Sequence, residues 1–192
     1  MDNQQSDAAW TRWYELLHSI GCDLTLKEKD SALSRIESFL AGEIDPEIRS
    51  EALGMKAEIR EQAGQFEEAK QTLLAARKLV GPSFRRYAHE LCLGSLCRRQ
   101  GQIEGAILWY TTALQTCLDG PGFSAGAALG ALFSLKDPKT LTSEEHNLCV
   151  QVAVRSWSIL RLVGEPDTAD LLGVALAIRE REASGPPRHP SD

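Results

Sequence analysis

A six-residue pattern recurs after 37 residues in this chain, matching at Gly, Gln, Glu and Ala with an apolar third residue, and the helical pattern after it repeats as well. The two copies are Gly64-Gln65-Phe66-Glu67-Glu68-Ala69 and Gly101-Gln102-Ile103-Glu104-Gly105-Ala106. Downstream, Phe66, Ala69, Leu73, Ala76 and Val80 recur as Ile103, Ala106, Tyr110, Ala113 and Cys117. A spacing of three, four, three, four marks one face of a helix. Upstream of each Gly lies another helical stretch, with Leu53 and Ala57 in the first copy and Leu93, Gly94 and Cys97 in the second. Each unit therefore reads as helix, tight Gly turn, helix. One such hairpin cannot bury its apolar face alone, so hairpins must stack. Ala57 and Gly94, with Ala69, Ala76, Ala106 and Ala113, are small enough to let neighbouring helices approach closely.

On these residues the chain resembles the tetratricopeptide repeat (TPR) family. Ala57, Gly64, Phe66, Ala69, Leu73 and Ala76 follow the family pattern once. Leu93, Gly94, Gly101, Ile103, Ala106, Tyr110 and Ala113 follow it again, more closely. Lys56 and Arg60 depart from it, standing where the family places apolar residues. The period is 37 rather than the family's 34, which a longer connection around Gly81-Pro82-Ser83 accommodates. The resemblance covers about residues 50–118 and implies an all-α fold of stacked antiparallel hairpins, a short right-handed α-solenoid.

The flanks extend this reading. Trp10, Trp13, Leu17 and Ile20 share a helical face that ends before Gly21, and Ala32, Ile36, Phe39 and Leu40 share another; Cys22–Leu26 is expected as the linker between them. Asp45-Pro46-Glu47 is a helix start, with an N-cap, Pro in the first position and an acid in the first turn. Thr142 and Glu145 have capping-box spacing and open a helix predicted to run through Trp157 to Val163, stopped by Gly164. A last helix is expected from Pro166 to about Glu182. The expected organisation is a flexible stretch 1–6, one helical domain 7–183 with hairpins near 50–81 and 87–118, and a disordered Pro-rich tail 184–192. No strand pattern stands out.

Charge and cysteine usage narrow the functional classes. Lys plus Arg is 21 against 27 Asp plus Glu, a net charge of −6, which argues against the broad positive field that nucleic-acid binding uses. No apolar run approaches the roughly 20 residues of a membrane span, and the polar, acidic start Met1-Asp2-Asn3 is unlike a secretory signal. The five cysteines, Cys22, Cys92, Cys97, Cys117 and Cys149, are odd in number and read as reduced thiols, so the expected compartment is the cytoplasm. His89 and Cys92 share a helical face, but Cys97 points elsewhere and no Cys-x-x-Cys pair completes a zinc site; no metal and no cofactor is expected.

One motif invites a catalytic reading. Gly122-Phe123-Ser124-Ala125-Gly126 matches the nucleophile elbow, and Asp137 and His146 follow Ser124 in order. The elbow works because a strand feeds a sharp turn, and here the preceding Ile103–Leu118 stretch is helical. Catalysis at Ser124 is therefore discounted. The alternative is a loop before a close-packed helix, with Gly122, Gly126 and Gly130 on one tight face. The acidic pairs Glu67-Glu68 and Glu144-Glu145 sit at helix starts, where they complement the helix dipole.

The expected function is thus non-catalytic protein binding, as an adaptor, chaperone or neutralising partner that holds a peptide or helix in a concave groove lined mainly by its first helices. Register places Glu51, Gly54, Glu58 and Glu61 on that face in the first hairpin and Ala88, Leu91, Ser95 and Arg98 in the second. The favoured contacts are Glu51, Glu58, Glu61, Leu91, Ser95 and Arg98, and a basic or mixed-charge partner suits them. Some TPR proteins hold acidic chaperone tails through Lys and Asn, but Gly54, Glu58, Leu91 and Ser95 stand at those positions here. The local basic cluster of Arg77, Lys78, Arg85, Arg86, Arg98 and Arg99 suits an acidic partner or balances nearby acids. A second reading is a self-associating structural subunit, a homo-oligomer capped by Trp10, Trp13 and Trp157.

Overall fold

The structure, a computed structural model, describes residues 3–25, 28–121, 123 and 125–163, with side chains described for 8–24, 28–121, 123 and 125–156. Every regular element among the described residues is helical. The helix expected from Pro166 and the tail 184–192 lie outside the described residues, as do Gly122, Ser124 and the side chain of Trp157. The chain divides into two compact units, residues 1–81 and 82–192.

The first unit holds α1 (Asn3–Thr25), α2 (Lys29–Leu40), α3 (Pro46–Gln62) and α4 (Phe66–Lys78), each packed on the next. Polar contacts at the ends fix their antiparallel order. Ser31 Oγ and Arg35 Nε both donate to the buried Asp23 carboxylate, at 2.9 and 2.8 Å, closing α1 onto the start of α2. Lys29 Nζ donates to the Gln62 carbonyl at 2.6 Å, while the Arg49 guanidinium donates to the Leu40 and Gly42 carbonyls at 3.1 and 3.0 Å. The start of α2 therefore meets the end of α3, and the end of α2 meets its start. The core between them is Ala9, Trp13, Ile20, Ala32, Ile36, Ile48, Ala52 and Ile59.

Two boundaries in α1 differ from expectation. The helix begins at Asn3, inside the stretch expected to be flexible, and it runs through Gly21 to Thr25 rather than stopping before Gly21. Gly21 has open space around it and no positive φ, so nothing there ends a helix. The buried Asp23 and the half-buried Leu24 hold the extra turn in place instead.

The second unit holds α5 (Phe84–Arg99), α6 (Ile103–Asp119), α7 (Gly126–Phe133), a 3-10 turn at Pro138–Thr140 and α8 (Ser143–Val163). Its core runs from Tyr87 and Cys97 through Tyr110, Leu114 and Leu129 to Cys149 and Val152. Arg155 on α8 donates to the Leu118 and Gly120 carbonyls at 2.6 and 2.7 Å, satisfying the end of α6. The capping box is formed. Glu145 N–H donates to Thr142 Oγ1 at 3.2 Å, and Thr142 N–H donates to Glu145 Oε2 at 2.8 Å. Lys136 adds an ion pair to the same carboxylate at 2.6 Å, which holds it below the usual carboxylate range. Of the Gly face expected here, Gly130 makes no close helix contact, and Gly122 lies outside the described residues. Gly130 is exposed with open space around it, and the buried side of the helix is Ala128, Leu129 and Leu132. Larger side chains win that face because they bury more apolar surface than glycine can.

The two repeated hairpins share one turn. Gly64 and Gly101 have φ of 79° and 73°, the left-handed conformation that glycine adopts without penalty. In the first, Gln65 N–H donates to Arg60 O and Gly64 N–H to Glu61 O, both at 2.9 Å. In the second, Gln102 N–H donates to Cys97 O at 2.9 Å and Gly101 N–H to Arg98 O at 3.0 Å. Both are Schellman caps, which satisfy the last carbonyls of the first helix while reversing the chain.

The helix–helix spacing is set differently in each. A Cβ placed on Gly94 would lie 2.4 Å from Cε1 of the buried Tyr110 ring. The equivalent positions in the first hairpin are Ala57 and Leu73, both buried, a larger and a smaller residue in exchange. Gly94→Ala should therefore destabilise the protein by about 1–3 kcal/mol through overpacking. Combining it with Tyr110→Leu, which copies the other hairpin's pair, should recover a large part of that loss. Thermal or urea unfolding of the single and double variants checks both.

Candidate functional site

The candidate site is the outer face of the first helix in each repeated hairpin, one in each unit. On α3 a four-three spacing runs Glu47, Glu51, Gly54, Glu58, Glu61; 37 residues on, the same register on α5 runs Phe84, Ala88, Leu91, Ser95, Arg98. The chemistry of the two faces is opposite, acidic on α3 and apolar to basic on α5.

On α3, Glu47 and Glu58 are exposed and Glu51 and Glu61 half-buried. Glu58 Oε1 accepts from Gln62 Nε2 at 3.4 Å, one turn along the same helix. Glu51 has a structural task as well, since its carboxylate accepts from the Trp13 indole N–H at 3.1 Å and so ties α1 to α3. Trp13 is 2% exposed and stacks at 5.4 Å on Phe39 of α2, so this bond sits at the edge of the core.

The cations of α3 lie on its other side. Arg49 caps the end of α2, as described above. Lys56 Nζ is 2.7 Å and Arg60 Nη2 3.8 Å from Glu37 Oε1 on α2. Arg60 Nη1 also donates to Thr72 Oγ1 of α4 at 2.9 Å. Lys56 and Arg60, which break the apolar pattern of the repeat, thus form a polar layer joining α2, α3 and α4. The hydrogen bond and charge of Lys56, then the charge of Arg60, hold the Glu37 carboxyl below its ordinary range.

On α5, Leu91 is half-buried against the core of its unit, Ser95 Oγ lies 3.4 Å from Tyr110 Oη, and Arg98 is exposed. Phe84 is 60% exposed, with its ring edge-on to Phe123 at 5.7 Å and tilted against Tyr87 at 6.1 Å. Glu47 and Phe84 were not anticipated. They lie one turn before the first residues assigned by register, and continuing the four-three spacing backwards would have found them. Packing alone reveals that α1 lies parallel to α3, joined through Trp13 and Glu51.

The inner side of α5 is also polar. Glu90 is fully buried and accepts from Arg86 Nε at 3.1 Å, one turn earlier. His89 is buried beside it, and burial pushes the imidazole down to about 4, Glu90 opposing and Arg85 adding to that shift. Of the cysteines, Cys97, Cys117 and Cys149 are buried and Cys22 and Cys92 exposed, all as free thiols. Burial raises Cys149 to about 11 and raises Cys117, leaving both in the unreactive thiol form. Among the described residues no three His, Cys, Asp or Glu side chains group as metal ligands, and no helix is long and apolar enough to cross a membrane.

No family model matches the chain. No curated protein matches it either. Among solved structures it is similar to the one described as "Crystal structure of BtubC (BKLC) from P. vanneervenii", with a TM-score of 0.53 and 16% sequence identity over 98% of this chain and 92% of that one. At that identity the likeness concerns the fold alone.

The buried imidazole has a measurable consequence. His89 is held neutral in the folded state and titrates at its ordinary value when unfolded, so the unfolded chain binds more protons between about pH 6.5 and 4. Stability from this group is complete above pH 6.5 and falls as pH drops to about 4, by an amount on the order of 2–3 kcal/mol. His89→Gln should flatten the pH dependence of urea unfolding across that window, with little change in its slope below pH 4.

Proposed function

We propose that this protein is a non-catalytic, TPR-like binding module that holds a segment of a partner protein against the outer faces of its first helices. The observation that carries this reading is the charge arrangement of α3. All three of its cations turn towards neighbouring elements, while the opposite edge carries only acids and Gly54, of which Glu47 and Glu58 are exposed. A helix whose only purpose was to pack would gain a few tenths of a kcal/mol per pair by interleaving its charges at i,i+4. Segregating them forgoes that gain and leaves an outward acidic surface suited to a basic or mixed partner. In unit 2 the matching face, with Phe84, Leu91, Ser95 and Arg98, offers an aromatic anchor and a cation, the residue types that dominate binding energy at interfaces. Partner recognition rather than chemistry, in the reducing cytoplasm, is the role these surfaces fit best.

Glu58→Lys combined with Glu61→Lys should abolish capture of a stoichiometric partner by the tagged protein from its native cytosol, while the unfolding temperature stays within a few degrees of the parent. Mass spectrometry identifies the partner, and cross-linking from α3 locates it. Undiminished capture by the variant would overturn the assignment to this face.

A further inference from the structure

The end of α6 is closed from outside its own hairpin. Gly64 and Gly101 end their helices with a left-handed φ, but Gly120, the residue after α6, is extended at φ −96° and ψ −179°. The carbonyls there are met instead by α8, whose Arg155 donates to Leu118 O at 2.6 Å and to Gly120 O at 2.7 Å. Both bonds are charge-assisted and come from one planar fork, a geometry that a Lys ammonium does not reproduce. Ser156, the next residue, is buried, and its Oγ accepts from Ala125 N–H at 3.0 Å. Helix α8 thus grips the chain at 120 and again at 125.

Two contacts carry that grip to the start of α5. The first is backbone against backbone. A Cβ on Gly120 would lie 3.1 Å from Pro82 O and 3.2 Å from Pro82 C, so glycine is required here for close approach rather than for its φ. Pro82 precedes the Ser83 N-cap, whose Oγ accepts from Arg86 N–H at 3.3 Å, and Phe84 is the first residue of the helix. The second is ring against ring. Phe123 lies edge-on to Phe84 at 5.7 Å and 5.1 Å from Tyr87. Its carbonyl accepts from Cys117 Sγ at 3.2 Å, and Tyr87 Oη accepts from Ala128 N–H at 3.3 Å. Phe84 is held through backbone and ring at once, yet stays 60% exposed.

An exposed aromatic that is already fixed loses little side-chain freedom when a partner covers it, and that is what a binding anchor gains from its surroundings. We propose that Arg155 and Gly120 are positioning residues for the α5 face: through Pro82 and Phe123 they hold Phe84 in its outward setting, so that the seating of α8 controls the anchor. The use of Phe84 as an anchor rests on the binding-module reading; its dependence on α8 does not.

The test places 4-fluorophenylalanine at position 84 of the full chain and reads it by fluorine NMR. Phe123→Leu removes the neighbouring ring and gives the fluorine position of a released Phe84. Arg155→Gln and Gly120→Ala should each move the signal towards that position, and Arg155→Lys should move it less than Arg155→Gln. Leu141→Ala removes a buried side chain at the opposite end of α8 from Arg155 and should leave the signal in place. Arg155→Gln added to Phe123→Leu should produce no further movement, because members of one network do not act additively. A signal unmoved by Arg155→Gln would overturn the proposal, and so would equal movement in Leu141→Ala, the mark of general loosening. If Arg155→Gln fails to fold, Gly120→Ala and Arg155→Lys decide by the same criterion. Where Glu58→Lys/Glu61→Lys loses the native partner and Arg155→Gln moves the fluorine, undiminished capture by Arg155→Gln would overturn the anchor and leave the binding-module reading standing. If Glu58→Lys/Glu61→Lys keeps its partner, the α3 assignment falls, while the fluorine positions still decide the coupling to α8.

Discussion

The Glu37 carboxylate on α2 fixes how α3 is turned. It draws Lys56 and Arg60 to one side of the helix, and Arg49 reaches the end of α2 on that same side. With its cations held there, α3 must present Glu47, Glu51 and Glu58 along the opposite edge. Each individual contact is modest, since a partly exposed ion pair contributes less than about 1 kcal/mol. Their value lies in direction. Three anchored cations and the buried Ile48, Ala52 and Ile59 leave α3 one rotational setting, and the acidic face follows from it.

The two hairpins show how one turn supports different interiors. Both reverse through a left-handed Gly and a Schellman cap, and both place a small residue where the second helix crosses. From there they diverge. The second fills the gap with Tyr110 over Gly94 and with buried Leu93 and Cys97, a dry layer packed by dispersion. The first has Lys56 and Arg60 at the positions of Leu93 and Cys97, and its layer is held by charge and hydrogen bonds to Glu37 and Thr72. The polar layer makes the acidic outer stripe of α3 a consequence of its own interior. The dry layer leaves α5 free to carry Phe84, Leu91 and Arg98 outward.

The differences between sequence and structure have separate physical causes. Gly21 reads as a helix end in the local pattern, yet glycine ends a helix only where φ turns positive or the following residues lack partners. Here Asp23 finds Ser31 and Arg35, and the helix continues. Gly130 of α7 lies in open space for the opposite reason: spacing at every fourth residue is compatible with tight contact but does not supply a neighbour, and the Ala128 and Leu129 side had one. The bond from Trp13 to Glu51 joins residues 38 apart, and no local pattern signals it. That bond sets the Glu51 carboxylate, expected to face a partner, against α1.

The sequence by itself determined what depends on neighbours within a few residues. The helical class, both Gly turns, the Asp45 cap and the Thr142–Glu145 capping box are local, because helix period, backbone conformation and capping are settled within one or two turns. The register of the α3 and α5 faces was legible for the same reason, as a four-three spacing carried along one helix. Tertiary structure alone decided which groups are consumed by packing and which remain outward. Glu51 became an acceptor for a distant indole, Lys56 and Arg60 were drawn towards Glu37, and α1 was laid parallel to α3. Those outcomes depend on which side chains meet across a helix interface, and side chains far apart in sequence meet only once the chain has folded.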